Sequence, residues 1–355
     1  MRVLITGGAG FVGGNLAVAS AGRHPDWEVV AFDNLMRRGS ELNLPRLREA
    51  GVEFVHGDVR EPADLAAVGS FDAVVECSAE PSVLAGFADT SYSVHTNLLG
   101  AFNCLERARQ EDAFLVFLST SRVYPVAPQL QLVLEEEETR FELAAEQPVP
   151  GAGPAGISED FSMGGARTLY GATKLSAELL IEEYADAFGL RAVVDRCGVI
   201  AGPWQMGKVD QGVFSWWLLS HRFGRPLTYI GYGGSGKQVR DLLHVDDLID
   251  LVDEQLSNPG SWSGVTANVG GGRECSLSLL ETTELCRELT GNEVPIGIEP
   301  ETRPGDVPVY LSDCSHLHSQ TSWRPRRTPR DVLADLLDWS AAHEDSLRAA
   351  LGFER

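Results

Sequence analysis

Six short runs of nearly continuous apolar character punctuate the first 200 residues: "RVLITG" from Arg2, "EVVAFD" from Glu28, "VEFVHGD" from Val52, "AVVECSA" from Ala73, "FLVFLST" from Phe114 and "RAVVDRC" from Arg191. Runs of this kind, without strict alternation, suit strands of a parallel sheet that is covered on both faces. Longer stretches between them place apolar residues at helical spacing, as in "NLLGAFNCLERARQ" from Asn97 and "TKLSAELLIEEYADAFG" from Thr173. The repeated βα alternation predicts an α/β fold built on a doubly wound parallel Rossmann sheet.

The pattern loosens after residue 197, where Gly, Pro and aromatics break it up, as in "GVFSWWLL" and "GYGGSGKQ". Residues 1–197 are therefore expected to form a Rossmann domain and 198–355 mainly a smaller α/β substrate-binding lobe, the chain returning to the first domain near 238–270. Residues 125–160 form a long acidic insertion carrying Pro and Gly. Most such charge runs are solvated surface, and a loop of this length inside a compact chain is also a candidate lid.

Composition narrows the function. The formal charge is −22, with 51 acidic against 29 basic residues, which argues against nucleic acid or an anionic membrane as a partner. Only three of the basic residues are lysines (Lys174, Lys208 and Lys237), so each invites a reason. Six cysteines show no C-x-x-C, and His316 and His318 make a poor ligand pair, so no metal site is expected. No signal-peptide pattern opens the sequence and no apolar run approaches a membrane span, which points to the cytoplasm.

Three stretches can carry chemistry. "TGGAGFVG" places Gly7, Gly10 and Gly13 after the first strand and before an apolar helix, where a dinucleotide pyrophosphate rests on a helix N-terminus. Asp33, at the end of the second strand, suits the ribose hydroxyls of NAD and repels the 2′-phosphate of NADP, while Arg37 and Arg38 nearby oppose that preference. Tyr170 and Lys174, four apart in "YGATK", share one helix face, and an ammonium beside the phenol favours phenolate. The hydroxyls of "STSRVY", from Ser119, either cap a strand end or face a reacting atom.

Taken in order, "TGGAGFVG", "FDNL", "GDVR", "STSRVY", "YGATK", "GKQVRDLLHVDD" and "RPGD" resemble the extended short-chain dehydrogenase/reductases that act on nucleotide sugars. The resemblance covers nearly the whole chain. It implies Thr120, Tyr170 and Lys174 as the catalytic group, with Ser119 and Ser121 in support. It further implies NAD held by Gly7, Gly10, Phe11, Val12, Gly13, Asp33, Asn34, Asp58, Val59, Cys77, Ser78 and Asn97, together with Tyr170 and Lys174. Arg240 and Arg303 match the family's diphosphate ligands. Lys208 and Lys237 join them on scarcity and position, and Arg122, Gln205 and Gln211 complete the expected substrate contacts.

Departures within the family are informative. The 4,6-dehydratases carry Asp-Glu after the catalytic Thr, where this chain has Ser121 and Arg122. The UDP-sugar 4-epimerases carry Tyr-Phe-Asn where this chain has Cys197-Gly198-Val199. The basic residue before "VY", the long insertion, "DQG" at Asp210–Gly212 and "GKQVRD" resemble the CDP-paratose 2-epimerase branch, although "VYP" and "ECSA" (Glu76 to Ala79) depart from it. The implied activity is transient oxidation and re-reduction at C2 of a CDP-hexose by tightly bound NAD, in a homodimer or homotetramer. A UDP-sugar 4-epimerase and a non-catalytic NAD(P)-binding regulator are the alternatives.

Overall fold

The structure, a computed structural model, describes residues 1–207 and 211–352. Lys208 thus lies outside the described residues. A seven-stranded sheet is formed by β1 (Arg2–Thr6), β2 (Glu28–Asp33), β3 (Glu53–His56), β4 (Ala73–Glu76), β5 (Phe114–Thr120), β6 (Ala192–Cys197) and β7 (Val265–Val269), in the order β7-β6-β5-β4-β1-β2-β3. The pairs β1–β2, β1–β4, β2–β3 and β4–β5 are parallel, with Val3 opposite both Val29 and Ala73. The chain order therefore reverses beside β1, between β2 and β4. In an open α/β sheet such a reversal opens a crevice at the carboxyl ends of the strands. The doubly wound fold expected from the apolar runs is the one observed.

Three helices matter for the site: α1 (Phe11–Arg23), α2 (Gly100–Gln110) and α3 (Leu169–Phe188). The core under α2 and α3 joins Leu4, Val30 and Phe32 of the inner strands to Leu115 and Phe117 of β5, Leu105 of α2, and Ala177 and Ile181 of α3. Burying one such large side chain is worth about 1.5–3 kcal/mol, against about 0–1 kcal/mol for an exposed ion pair. The apolar layer, more than the surface charge, sets the positions of α2 and α3.

The chain divides into two compact units. The first holds Met1–Val123, Leu169–Arg196 and Leu248–Thr266; the second holds Tyr124–Thr168, Cys197–Asp247 and Ala267–Arg355. This differs from the sequence-based division in two respects. The returning segment is Leu248–Thr266, tied to β6 by Gln255 Nε2 donating to Asp195 Oδ1 (2.9 Å) and the Gly264 amide donating to Ala192 O (2.8 Å). The insertion groups with the second unit. It is built of a short helix (Val126–Gln129) and two antiparallel ribbons, Leu134–Glu136 with Phe141–Leu143 and Ala152–Gly153 with Gly156–Ile157. Backbone bonds stitch it down: Phe141 N donates to Lys237 O (2.9 Å) and Ile157 N to Leu311 O (2.9 Å).

In the second unit, Val239–His244 pairs with Val199–Ala201, Ser276–Ser278 and Val309–Tyr310. No helix among the described residues is long and apolar enough to cross a membrane.

Candidate active site

Parallel strands deliver the expected cofactor residues to one edge of the first unit. Gly7 follows β1, Asp33 ends β2, Asp58 and Val59 follow β3, Cys77 and Ser78 follow β4, and Thr120 ends β5. A shared strand direction is what places residues so distant in sequence side by side.

The glycine turn accepts nothing larger. Gly7 has φ +61°, and a Cβ on it would stand 2.9 Å from Cys77 O. A Cβ on Gly13 would lie 2.3 Å from Gly7 O, and one on Gly8 would lie 2.7 Å from the Ala31 backbone. The loop closes through Gly10 N donating to Gly7 O (2.8 Å). Gly10 caps α1 without a side-chain hydrogen bond, and the first turn of α1 holds no acidic residue. The amides and dipole at Phe11, Val12 and Gly13 are thus left for an anionic ligand such as a pyrophosphate. The cradle fits a dinucleotide.

Asp33 is pinned through both carboxylate oxygens: Oδ2 accepts from Ala9 N (3.1 Å) and Oδ1 from Leu35 N (2.7 Å). Burial pushes its carboxyl up, and the two backbone donors oppose that rise. Beside it, Asn34 Nδ2 donates to Asp58 Oδ2 (3.0 Å). Asp58 is held down at about 2, mainly by its hydrogen bond with Arg60. Asn97 lies in a π-helical turn before α2 and grips the Glu80 backbone, its Oδ1 accepting from Glu80 N (2.7 Å) and its Nδ2 donating to Glu80 O (3.1 Å). It shapes the chain just beyond Cys77 and Ser78.

The catalytic candidates come from the end of β5 and the first two turns of α3. Thr120 Oγ1 accepts from the Arg122 amide (3.2 Å), so its own proton is left to donate. The buried neighbour Ser119 donates to Glu178 Oε1, and Glu178 Oε2 accepts from Arg196 Nη2 (2.8 Å). Ser119 thus fastens β5 to α3 and β6. The first turn of α3 lies on the Arg122 carbonyl, where a Cβ on Gly171 would come within 2.0 Å of the oxygen. That contact sets Tyr170 and Lys174 against the end of β5. Lys174 is buried, its Nζ 3.0 Å from Glu76 Oε2 and 4.2 Å from the centre of the Phe117 ring. Sequence reasoning noted Glu76 only as part of the departing "ECSA" and gave it no role, and it missed Gly171 and Glu178. The one available signal was the Glu closing "AVVE", an acid at the end of an apolar strand.

The remaining substrate candidates fall in the second unit, whereas Arg122 is in the first. Arg240 Nη2 pairs with Asp306 Oδ1 (2.6 Å) in the loop that also holds Arg303, whose carbonyl accepts from Asp306 N (3.2 Å). Lys237 Nζ donates to Glu136 Oε1 (2.8 Å) and Glu137 O (2.8 Å), both in the insertion. Gln205 bonds Ile200 O (2.9 Å) and Ser215, and Gln211 precedes the Val213–Arg222 helix.

The profile of the NAD dependent epimerase/dehydratase family matches residues 3–270. CDP-paratose 2-epimerase of Salmonella typhi is 30% identical over 353 residues, covering 96% of this chain and 100% of that one. A dTDP-glucose 4,6-dehydratase of Mycolicibacterium smegmatis is 28% identical, with 97% and 94% covered. Among solved structures, the UDP-glucose 4-epimerase of Thermus thermophilus, in complex with NAD, has a TM-score of 0.74 at 27% identity, covering 96% of this chain and 98% of that one. With the glycine cradle and Asp33 carboxylate in place to receive the dinucleotide, this chain belongs to the NAD-dependent epimerase/dehydratase family, as an isomerase whose cofactor is NAD.

Proposed function

We propose that the chain epimerises a nucleotide-diphosphate sugar, at C2 of a CDP-hexose of the paratose/tyvelose kind. The carrying observation is the Thr120, Tyr170 and Lys174 group with Ser121 and Arg122 beside it, in a chain similar to a CDP-paratose 2-epimerase along nearly its whole length. The Tyr170 phenolate removes the sugar hydroxyl proton, and Lys174 favours that phenolate through its charge. Thr120 donates to the sugar oxygen as negative charge develops there. NAD, when bound, supplies the reversible two-electron oxidation of the sugar carbon. Tyr170 then returns the proton once the keto-sugar has presented its opposite face, so no external oxidant is consumed.

Elimination of water, the dehydratase reaction, needs an acid and a base beyond Tyr170. Ser121 and Arg122 supply no carboxyl at those positions. In the second unit, Arg240 and Arg303 are proposed as diphosphate ligands, supported by Lys237, Gln205 and Gln211; Lys208, proposed with them, lies outside the described residues. Epimerisation at C4 of a UDP-sugar is the second reading, favoured by the fold shared with the Thermus thermophilus enzyme at 27% identity. The complete Tyr-Lys pair stands against a non-catalytic regulator. The proposed setting is a cytoplasmic homodimer or homotetramer.

The deciding experiment incubates the protein with CDP-, UDP- and GDP-sugars in deuterated buffer and follows products by NMR. Inversion at C2 of the CDP-sugar without deuterium at the inverted carbon is expected. Inversion at C4 of a UDP-sugar would establish the second reading, and deuterium at the inverted carbon would overturn the oxidation mechanism.

A further inference from the structure

Glu76 closes β4 at the position where the four residues "ECSA" leave the family pattern. Its carboxylate is 1% exposed and meets the Lys174 ammonium, itself 2% exposed, at 3.0 Å. Behind the ammonium lies the Phe117 face. Glu76 also lines a small cavity whose other walls are apolar, among them Ala101, Leu105, Leu115 and Ile181. Its second oxygen, Oε1, is buried with no hydrogen-bond partner. A carboxylate in such surroundings is costly unless a cation stands beside it, and a buried ammonium is costly on the same terms. At 3.0 Å each opposes the other's desolvation: burial pushes the Glu76 carboxyl up, and the Lys174 charge and the Ser78 amide pull it back.

The groups facing this pair are few. Tyr170 is one turn earlier on α3, Cys77 follows Glu76, and Cys104 faces the pair from α2. Burial pushes both thiols up, which keeps them neutral. Glu178, one turn beyond Lys174, is committed to Ser119 and Arg196. Glu76 is therefore the anion next to Lys174, and Tyr170 is the titrating group on its other side.

We propose that Glu76 is a positioning residue that holds Lys174 as an ammonium at its catalytic post and damps the positive charge felt by Tyr170, so setting the pH range in which the Tyr-Lys pair works. Burial alone lowers the lysine pKa; the Glu76 carboxylate, foremost among its neighbours, and Tyr170 and Cys77 together reverse that, and the net shift is upward. Removing one negative charge makes every neighbouring proton easier to lose. The Tyr170 phenol and the Lys174 ammonium should then both titrate at lower pH.

The proposal rests on the epimerase reading for its catalytic meaning, and its test is independent of turnover. NAD-loaded protein labelled at lysine Nζ and Cε carries three lysines, and the Lys174 signal is the one lost in Lys174→Arg. In the unsubstituted protein it should remain that of an ammonium up to about pH 10. Glu76→Gln should lower its titration by about one to three pH units, and Glu76→Asp should restore most of the difference. Tyrosinate absorbance, referenced to Tyr170→Phe, should move the same way. With an accepted sugar nucleotide, both limbs of the pH–rate profile should shift to lower pH. Unmoved titrations in Glu76→Gln would overturn the proposal, as would a loss of rate equal at every pH, which marks a packing role. If Glu76→Gln does not fold, a Lys174 signal titrating below about pH 8 in the unsubstituted protein overturns it, and an ammonium above that supports it. If no sugar nucleotide is turned over, the function reading fails while the two titrations still decide this one.

Discussion

Gly171 lies so close to Arg122 that a Cβ on the glycine would fall 2.0 Å from the arginine carbonyl oxygen. The obstacle is backbone, which cannot swing aside as a side-chain tip would. Gly171→Ala must therefore push the start of α3 away from the end of β5, carrying Tyr170 from Thr120. A displacement of about 1 Å at a reacting group costs roughly 100-fold in rate. Turnover should fall by about that factor while NAD affinity, measured by fluorescence titration, changes only a few-fold.

Tyr170→Phe should abolish turnover and leave NAD binding within a few-fold, since the substitution leaves the proposed cofactor contacts of the glycine cradle and Asp33 in place. Thr120→Ala should cost roughly 10- to 1000-fold, and Thr120→Ser should recover much of it, because a hydroxyl is what the position supplies. If Thr120→Ala is fully active while Ser121→Ala is dead, the working hydroxyl is one residue further on. Steady-state kinetics of the four proteins separates these outcomes.

Asp33, the proposed ribose ligand, ends β2 and anchors the Ala9 amide of the glycine turn. Asp33→Asn keeps one acceptor oxygen and removes the charge that repels a 2′-phosphate. The ratio of NAD to NADP affinity should fall at least about tenfold (about 1.4 kcal/mol), with the protein still folded by circular dichroism. An unchanged ratio would transfer the preference to another residue.

Burial pushes the Asp195 carboxyl up to about 7, opposed by the hydrogen bond from Gln255. Its folded-state pKa is thus above the unfolded value of about 3.9. Between the two, the folded protein holds the extra proton, so this group's contribution to stability is full below about pH 4 and falls as pH rises through about 7. Asp195→Asn retains the acceptor for Gln255 and has no charge to bury. Its stability advantage should grow from about pH 4 to pH 7, to the order of 2–4 kcal/mol, and then level off. Melting temperatures compared across that range check the sign.

Leu99, Phe102, Leu179 and Phe188 stand exposed on or beside α2 and α3, with Leu179 at 55% and Phe188 at 59%. Large apolar groups gathered on one pair of helices mark an interaction surface, and the proposed homodimer would cover it. Light scattering at micromolar concentration should give at least a dimer mass. Leu179→Arg should shift it towards the monomer without loss of NAD.

The strands were legible because a sheet covered on both faces demands continuous apolar runs, and "FLVFLST" is buried throughout as β5. The Tyr170–Lys174 pair was legible because helical geometry converts a spacing of four into one face. Glu76 was not. Its partner is 98 residues away, and a Glu ending a short strand reads as an exposed terminus. The insertion was legible in part: the acids at 135–138 are exposed, as a solvated run should be, whereas Glu142, which holds Arg140 (2.8 Å), and Glu159, which accepts from the Asn268 amide (2.6 Å), are half-buried. Periodicity reports a neighbour along the chain. It carries no information on the partner that tertiary folding will bring to a lone charge.

The buried link from Ser119 through Glu178 to Arg196 has an evolutionary corollary. It fixes the registration of β5, α3 and β6 with side chains that need not touch any ligand. The next turn, Ser121–Val123, lies outside that clamp. The side chains at positions 121 and 122 can therefore change, as an acidic pair in a dehydratase or a hydroxyl and a guanidinium here, so long as the Arg122 backbone that bonds Thr120 and seats Gly171 keeps its place. Divergence in the reaction performed is uncoupled from the scaffold that holds its parts in line.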